Sequence, residues 1–440
     1  MNNDIQVQIE KKLDSRLNRR LRLLTLSDTP LSTSGVAHVA RNMCIEMLKT
    51  GNFEVVSLGG AIFHQNYNII RTEEFKELWT IVPCKDFSNP DQIRQLIRSF
   101  RPDIFWFQSD PRFFQFLFQM ENEIRSNTVL IYHFPWDSDE FIPPYYNKNY
   151  YDSCDYLIPI SKPTYNTVKS VVPNHPEVYR IPHTMNPEIF KKHPEGVVNA
   201  FKHQTMRQLQ NKFIVFFNGR NARRKMTGSI IWWFNDFLKV VGKDKAALIM
   251  HCDPYDPNGP NLQVIIQDLG LVNGEVLFST QKYSQQDLCM IYNSVDATIN
   301  ISDAEGYGIG PSESLMCETP IIVSMTGGHR EQVTDGENWF GIGINPVSRA
   351  IIGSQDVPYI NEDRVSGEDV VKSLLKMYNM PKNERQKMGQ QGRKHLLKDY
   401  NYYEWINSWN ELFINAYLKY GSWETRKGYR PWEMIEVNAH

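Results

Sequence analysis

Two glutamates eight apart flank three closely spaced glycines in one stretch, NISDAEGYGIGPSESLMCETPIIVSMTGGHREQV, residues 300–333. Its opening reads as a strand ending at Ser302. Gly306, Gly308 and Gly310 then form a turn, and Pro311 suits the first turn of a helix, where its missing N–H is no loss. A helix start behind small residues presents unpaired N–H groups and the positive end of the helix dipole, a ready site for an anion. Glu305 precedes the turn and Glu313 lies eight residues later on the new helix. Ionised carboxylates there suit hydroxyl groups, because each accepts well-aimed O–H bonds. Two glutamates at this spacing also arise by chance, and a buried strand–turn–helix with capping acids would explain the stretch taken alone.

A second stretch, FFNGRNARRKMTG, crowds Arg220, Arg223, Arg224 and Lys225 into a loop between a strand and a helix. Such a loop can neutralise a diphosphate, with Arg offering a planar fork and Lys a point charge. By itself, a solvated basic loop is the plainer reading. In LSDTPLSTSGVAHVARNM, Gly35 sits in a loop after the first strand, and in VLIYHFPWDSDEF, His133 follows another. A lone histidine is more often structural than catalytic. Asp137-Ser138-Asp139 spells D-x-D, which could hold a metal ion but is too short to be informative. Phe113, Phe114, Phe116 and Phe118 have a spacing that favours core packing over a hydrophobic acceptor surface.

These residues need a scaffold, and the rest of the chain describes one. Its 440 residues suffice for two or three domains. With 41% hydrophobic and 22% charged residues, it is neither disordered nor a small disulfide-stapled fold. Lys and Arg (48) nearly balance Asp and Glu (50), which argues against a dedicated nucleic-acid protein. The six cysteines form no C-x-x-C pair and fit a reducing compartment. The N-terminus lacks the apolar core of a signal peptide, and no apolar run approaches the ~20 residues of a bilayer span, so a cytoplasmic location is expected. Residues 1–20 are polar and basic and read as a solvated helix or tail.

From LRLLTLSD onward, short apolar strands alternate with helices, which implies parallel sheets covered on both faces. The polar stretch around residues 186–210 interrupts the alternation, and a second series starts with NKFIVFFNGR. From about residue 366 the chain reads as helical, with Ser366 as a cap. Two doubly wound α/β domains follow, with ligands expected beyond the carboxyl ends of their strands, in the cleft between them.

The 300–333 stretch resembles the E-x7-E signature of retaining glycosyltransferases of family 4, which have the GT-B fold of two facing Rossmann-like domains. The basic loop is similar to that family's G-R-x-x-x-x-K-G. The resemblance implies domains at 21–190 for the acceptor and 191–400 for the nucleotide-sugar donor, with 401–440 returning as helix to the first. It implies that Glu305 contacts the transferred sugar and Glu313 the ribose hydroxyls, while the backbone of Gly306, Tyr307 and Gly308 approaches sugar and phosphates. Arg220 and Lys225 map onto the diphosphate pair, Gly35 onto the glycine loop, and His133 onto a histidine beside the donor sugar.

Some positions depart from the pattern. Met226 and Val36 stand where glycine is usual, Gln108 where relatives often carry histidine, and His183, Thr184 and Asn186 alter an I-P-N-G-V-D-like segment. The implied reaction moves a sugar from a UDP-, GDP- or ADP-sugar to an acceptor hydroxyl, with no metal and no cofactor beyond the donor. A non-catalytic nucleotide-sugar module and a metal-dependent transferase using Asp137 and Asp139 are the alternatives. The acceptor, whether glycan, lipid, metabolite or modified DNA base, is not readable; a nucleic-acid acceptor rests only on the basic N-terminal segment.

Overall fold

The computed structural model describes residues 13–138 and 140–432. Lys11 and Lys12 of the basic segment, Asp139 of the D-x-D, and residues 433–440 lie outside them.

The first sheet is built from β1 (Leu21–Asp28), β2 (Phe53–Gly60), β3 (Ile70–Arg71), β4 (Trp79–Pro83), β5 (Ile104–Gln108), β6 (Val129–Phe134) and β7 (Tyr156–Pro159). Its order is β3-β4-β2-β1-β5-β6-β7, parallel throughout except for the edge strand β3. Strands covered on both faces read as continuous apolar runs, and β5 and β6 are buried at every residue. Side chains still alternate between faces. Trp106 of β5 and Ile131 of β6 join one core, while Phe105, Phe107, Leu130 and Tyr132 join the other. By this parity His133 shares the face of Ile131.

That face is covered by helices Gly35–Thr50 and Tyr402–Tyr420. The first starts on Ser34, whose hydroxyl accepts from Ala37 N at 3.1 Å, and ends on Gly51 at φ 80°. The second presents Tyr402, Trp405, Trp409, Phe413 and Ala416 at three- and four-residue spacing, all buried against the first sheet. Phe413 meets Phe53 edge-on at 5.8 Å, and Asn52 donates to Asn410 at 2.9 Å. Residues 13–20 form no helix, and their charges are tied down. Arg16 bridges to Glu411 at 2.7 Å and Arg19 to the buried Asp103 at 2.7 Å.

The second sheet comprises β8 (Phe213–Asn218), β9 (Ala246–His251), β10 (Val276–Ser279), β11 (Ala297–Asn300), β12 (Ile321–Ser324) and β13 (Gly341–Ile344). All its pairings are parallel, in the order β10-β9-β8-β11-β12-β13. A separate antiparallel hairpin follows, β14 (Ser348–Ile352) and β15 (Ile360–Arg364). The polar stretch read as an interruption carries a helix, Glu195–Thr205. Its single buried residue, Val198, leaves little apolar periodicity to detect. From residue 367 the helical tail is three helices, Gly367–Asn379, Lys382–Asp399 and Tyr402–Tyr420, broken at Pro381 and at Asn401.

Trp409 is wholly buried between Trp106, His133 and Phe413. Trp409→Ala should therefore destabilise the chain by about 3–5 kcal/mol, as large-to-small changes at buried aromatics do. Urea denaturation read by circular dichroism measures this, and a loss below ~1 kcal/mol would mean that the helix contributes little to the first domain's core.

Candidate functional site

The strands of both sheets point their carboxyl ends at one seam, and two helix starts meet there. Helix Gly35–Thr50 and helix Ile309–Met316 come so close that a Cβ added to Gly35 would lie 3.0 Å from Ile309 Cδ1. Two helix N-termini from different domains thus face one place, which favours an anion. The turn before Ile309 requires Gly308, which has φ +94° and whose added Cβ would lie 2.7 Å from the His329 ring.

The two sequence motifs converge on the carboxyl end of β8. Lys225 from the basic loop pairs with Glu305 Oε2, which also receives Arg224 at 3.3 Å and Ser302 Oγ at 3.2 Å, with His329 Nε2 at 4.0 Å. Burial resists ionisation of Glu305, but the charges of Lys225 and Arg224 outweigh it and hold the carboxyl well below its usual range. Burial, then Arg224, lowers the ammonium of Lys225. Burial keeps His329 neutral by pulling its pKa down to about 4.

Glu313 is held differently. Tyr292 donates its hydroxyl at 2.7 Å and Asn218, the last residue of β8, donates at 3.2 Å. With no cation at hand, burial pushes Glu313 up to about 7.

The remaining residues fall as follows. Arg220 is mostly exposed and bonded to Asp256 at 2.6 Å, so Arg224 rather than Arg220 joins Lys225 on Glu305. Tyr307 is buried against His183 at 5.2 Å and Tyr400 at 6.0 Å, while its carbonyl accepts from Gln332 at 2.6 Å. The Gly306 N–H donates to Asp137 across the seam at 3.0 Å. Asp137 also pairs with Arg224 at 3.1 Å, so one guanidinium links Glu305 to the first domain. His133 is buried between Trp106 (5.6 Å), Trp409 (4.9 Å) and His183 (5.5 Å). Burial, then His183, pushes its pKa well down, so the ring is neutral. Among the described residues no group of three or more His, Cys, Asp or Glu could hold a metal ion, and no helix is long and apolar enough to cross a membrane. A surface cavity of about 350 Å³ beside Asp155 and His175 is lined by none of the site residues.

Asn218, Tyr292, Ser302 and His329 were not singled out from the sequence as site residues. Asn218 adjoins the G-R motif and His329 lies inside the glycine-rich stretch, so adjacency was a usable signal. Tyr292 carries none, because only folding brings its hydroxyl to Glu313.

Residues 201–395, which hold both glutamates and the basic loop, match the family model described as Glycosyl transferases group 1. The match takes in just under half of the chain, most of it in the second domain. Three solved structures share the fold over about nine-tenths of the chain. Sucrose-phosphate synthase from Thermosynechococcus elongatus superposes with a TM-score of 0.72 at 13% identity, covering 91% of this chain and 100% of that one. The E. coli trehalose-6-phosphate protein bound with UDP-2-fluoro glucose gives 0.64 at 13% identity, covering 90% and 98%. Anabaena HepE in complex with UDP-glucose gives 0.65 at 13% identity, covering 91% and 100%. The fold of the chain is therefore GT-B. Among curated proteins, none matches its sequence.

Glu313 supplies a pH test. Its folded pKa of about 7 lies above the ordinary value near 4.3, so the folded state holds a proton that the unfolded chain releases. The associated stability is present below about pH 4 and is lost as pH rises through about 7, up to roughly 3 kcal/mol in all. Glu313→Gln should abolish most of that decline, measured as unfolding midpoints between pH 5 and 8. Parallel pH curves for the variant and wild type would show that Glu313 titrates normally.

Proposed function

We propose that this protein is a retaining glycosyl transferase that moves a hexose or pentose from a nucleotide diphosphate sugar to an acceptor hydroxyl, without a metal ion. The observation that carries the reading is the meeting of the two motifs at the end of β8, Lys225 on Glu305 and Asn218 on Glu313. One carboxylate beside cations and one beside neutral donors suit two tasks on a single donor. Glu313 accepts the ribose hydroxyls. Glu305 accepts hydroxyls of the transferred sugar, while Lys225 and Arg224 serve the diphosphate next to it. Arg220 is exposed enough to swing from Asp256 onto the same diphosphate.

In the reaction the bond from the anomeric carbon to the diphosphate breaks and charge develops on the leaving oxygen. Arg220, Lys225 and the two helix starts stabilise that charge in place of water. The acceptor hydroxyl attacks from the same face, and the departing diphosphate takes its proton. Glu305 is committed to ion pairs, which suits it to positioning rather than attack. Asp137 is likewise committed to Gly306 and Arg224, which supports a metal-free site. His133 lies in a neutral aromatic nest, so we assign it a role in shaping the sugar-side wall rather than in proton transfer. Six free, buried cysteines fit a cytoplasmic setting.

Two measurements test this. Glu305→Ala and Lys225→Ala should each cut transfer at least 100-fold, the scale of a lost charge-stabilising group, with folding retained. Near-normal turnover in either variant sinks the assignment. Thermal melting with UDP, GDP and ADP, and with their sugars, should reveal one nucleotide that stabilises the chain. Ligand at 100 times its Kd adds about 2.7 kcal/mol, a shift of a few degrees. UDP goes first, because structural relatives were solved with UDP-glucose and its fluoro analogue. The shift should survive chelator; its loss in chelator would replace the metal-free reading with a metal-dependent one.

A further inference from the structure

The hairpin β14–β15 belongs to neither large sheet, yet it contacts both domains. Its base is fixed to the donor side. The buried Glu362 receives Arg223 at 3.0 Å and Arg364 at 2.7 Å, and Arg364 also reaches Asp303, two residues before Glu305. The Asp363 N–H donates to the Asp303 carbonyl at 2.8 Å.

The same strand is fastened to the first domain one residue before Glu362, at Asn361, on the loop after β6. Ser138 Oγ accepts the Asn361 N–H at 2.9 Å and donates to the Asn361 carbonyl at 3.0 Å, closing a two-bond clasp with a single side chain. Tyr146 donates its hydroxyl to the Tyr359 carbonyl at 2.8 Å, and Tyr359 returns one to the Pro143 carbonyl at 3.2 Å. The two tyrosine rings meet edge-on at 4.9 Å, and Arg349 lies over Phe141 at 4.8 Å.

We propose that this hairpin is an interdomain strap and that Ser138 and Tyr146 are positioning residues, which hold the cleft closed over the reacting groups. The position of the clasp gives the strap its consequence. Ser138 directly follows Asp137, which bonds Gly306 and Arg224, so fastening Ser138 sets where Asp137 meets the Glu305 cluster. The clasps of Ser138, Tyr146 and Tyr359 are neutral hydrogen bonds, each modest in net strength, alongside the Arg349 contact to Phe141. Beside them, both polar atoms of the buried Asn361 carboxamide lack a hydrogen-bond partner, which weighs against the closed form. A strap so balanced can release between turnovers, as substrate entry and product exit require. While fastened it keeps water from the donor, so its loss trades transfer for hydrolysis.

The kinetic part rests on the proposed sugar transfer; the conformational part does not. The experiment compares wild type, Ser138→Ala and Tyr146→Phe by small-angle scattering with and without UDP, and by the ratio of donor hydrolysis to transfer. Melting curves verify that each variant is folded. Ser138→Ala should enlarge the radius of gyration and raise the hydrolysis-to-transfer ratio by about tenfold, the scale of one or two lost hydrogen bonds. Tyr146→Phe, which removes a single hydroxyl, should move both readouts the same way by a smaller factor. Wild-type scattering and an unchanged ratio in folded Ser138→Ala overturn the strap. If Ser138→Ala does not fold, the same two results in Tyr146→Phe overturn it. If wild type neither transfers nor hydrolyses any UDP-, GDP- or ADP-sugar, the functional reading falls, and scattering alone decides the strap.

Discussion

The buried carboxylate of Glu305 needs cations, and much of the cleft is arranged to supply them. An isolated ionised carboxylate in a protein interior carries a penalty of many kcal/mol. Lys225 and Arg224 meet that penalty only if the loop after β8 lies against the turn after β11. The two strands are neighbours in the second sheet, which brings their carboxyl ends to the same edge. The parallel sheet thus creates the juxtaposition, and the ion pairs fix it. Because Arg224 is shared with Asp137, the same electrostatics extend across the seam and bind the first domain to the second.

The contrast between the two glutamates follows from the same principle. Both are buried, and both lie close to the end of β8. Glu305 has charged partners and is held ionised; Glu313 has a phenol and an amide and is pushed towards the protonated form. Burial alone would raise both, so neighbours decide the sign.

The first domain depends on a residue segment from the far end of the chain. Helix Tyr402–Tyr420 helps to cover one face of its sheet, and Arg16–Glu411, Arg19–Asp103 and Ser422–Asp103 contacts tie residues 16–19 and 411–422 to it. This return path places Trp409 against His133 and gives the histidine an aromatic environment. The chain also crosses between domains near His183, whose ring meets that of Tyr307, so this link packs against the glycine-rich turn.

Sequence by itself determined the alternation of strands and helices, the cap at Ser366, and the two motifs with their glutamates and cations. These are local: apolar period, turn chemistry and short-range spacing are written in consecutive residues. Helix Glu195–Thr205 escaped because it buries a single residue, and the β14–β15 hairpin because β14 is largely exposed and β15 buries Asn361, Glu362 and Asp363 instead of apolar residues. Only the tertiary structure decided which cation meets which carboxylate. Arg220 and Arg224 are four residues apart in one loop, yet one turns to Asp256 and the other to Glu305 and Asp137. Likewise Tyr292 reaches Glu313, Ser138 clasps Asn361, and Cys289 comes to 3.6 Å from Cys317. Such pairings join residues tens to hundreds of positions apart, and they arise from where the sheets and the hinge place loop ends, which no local pattern encodes.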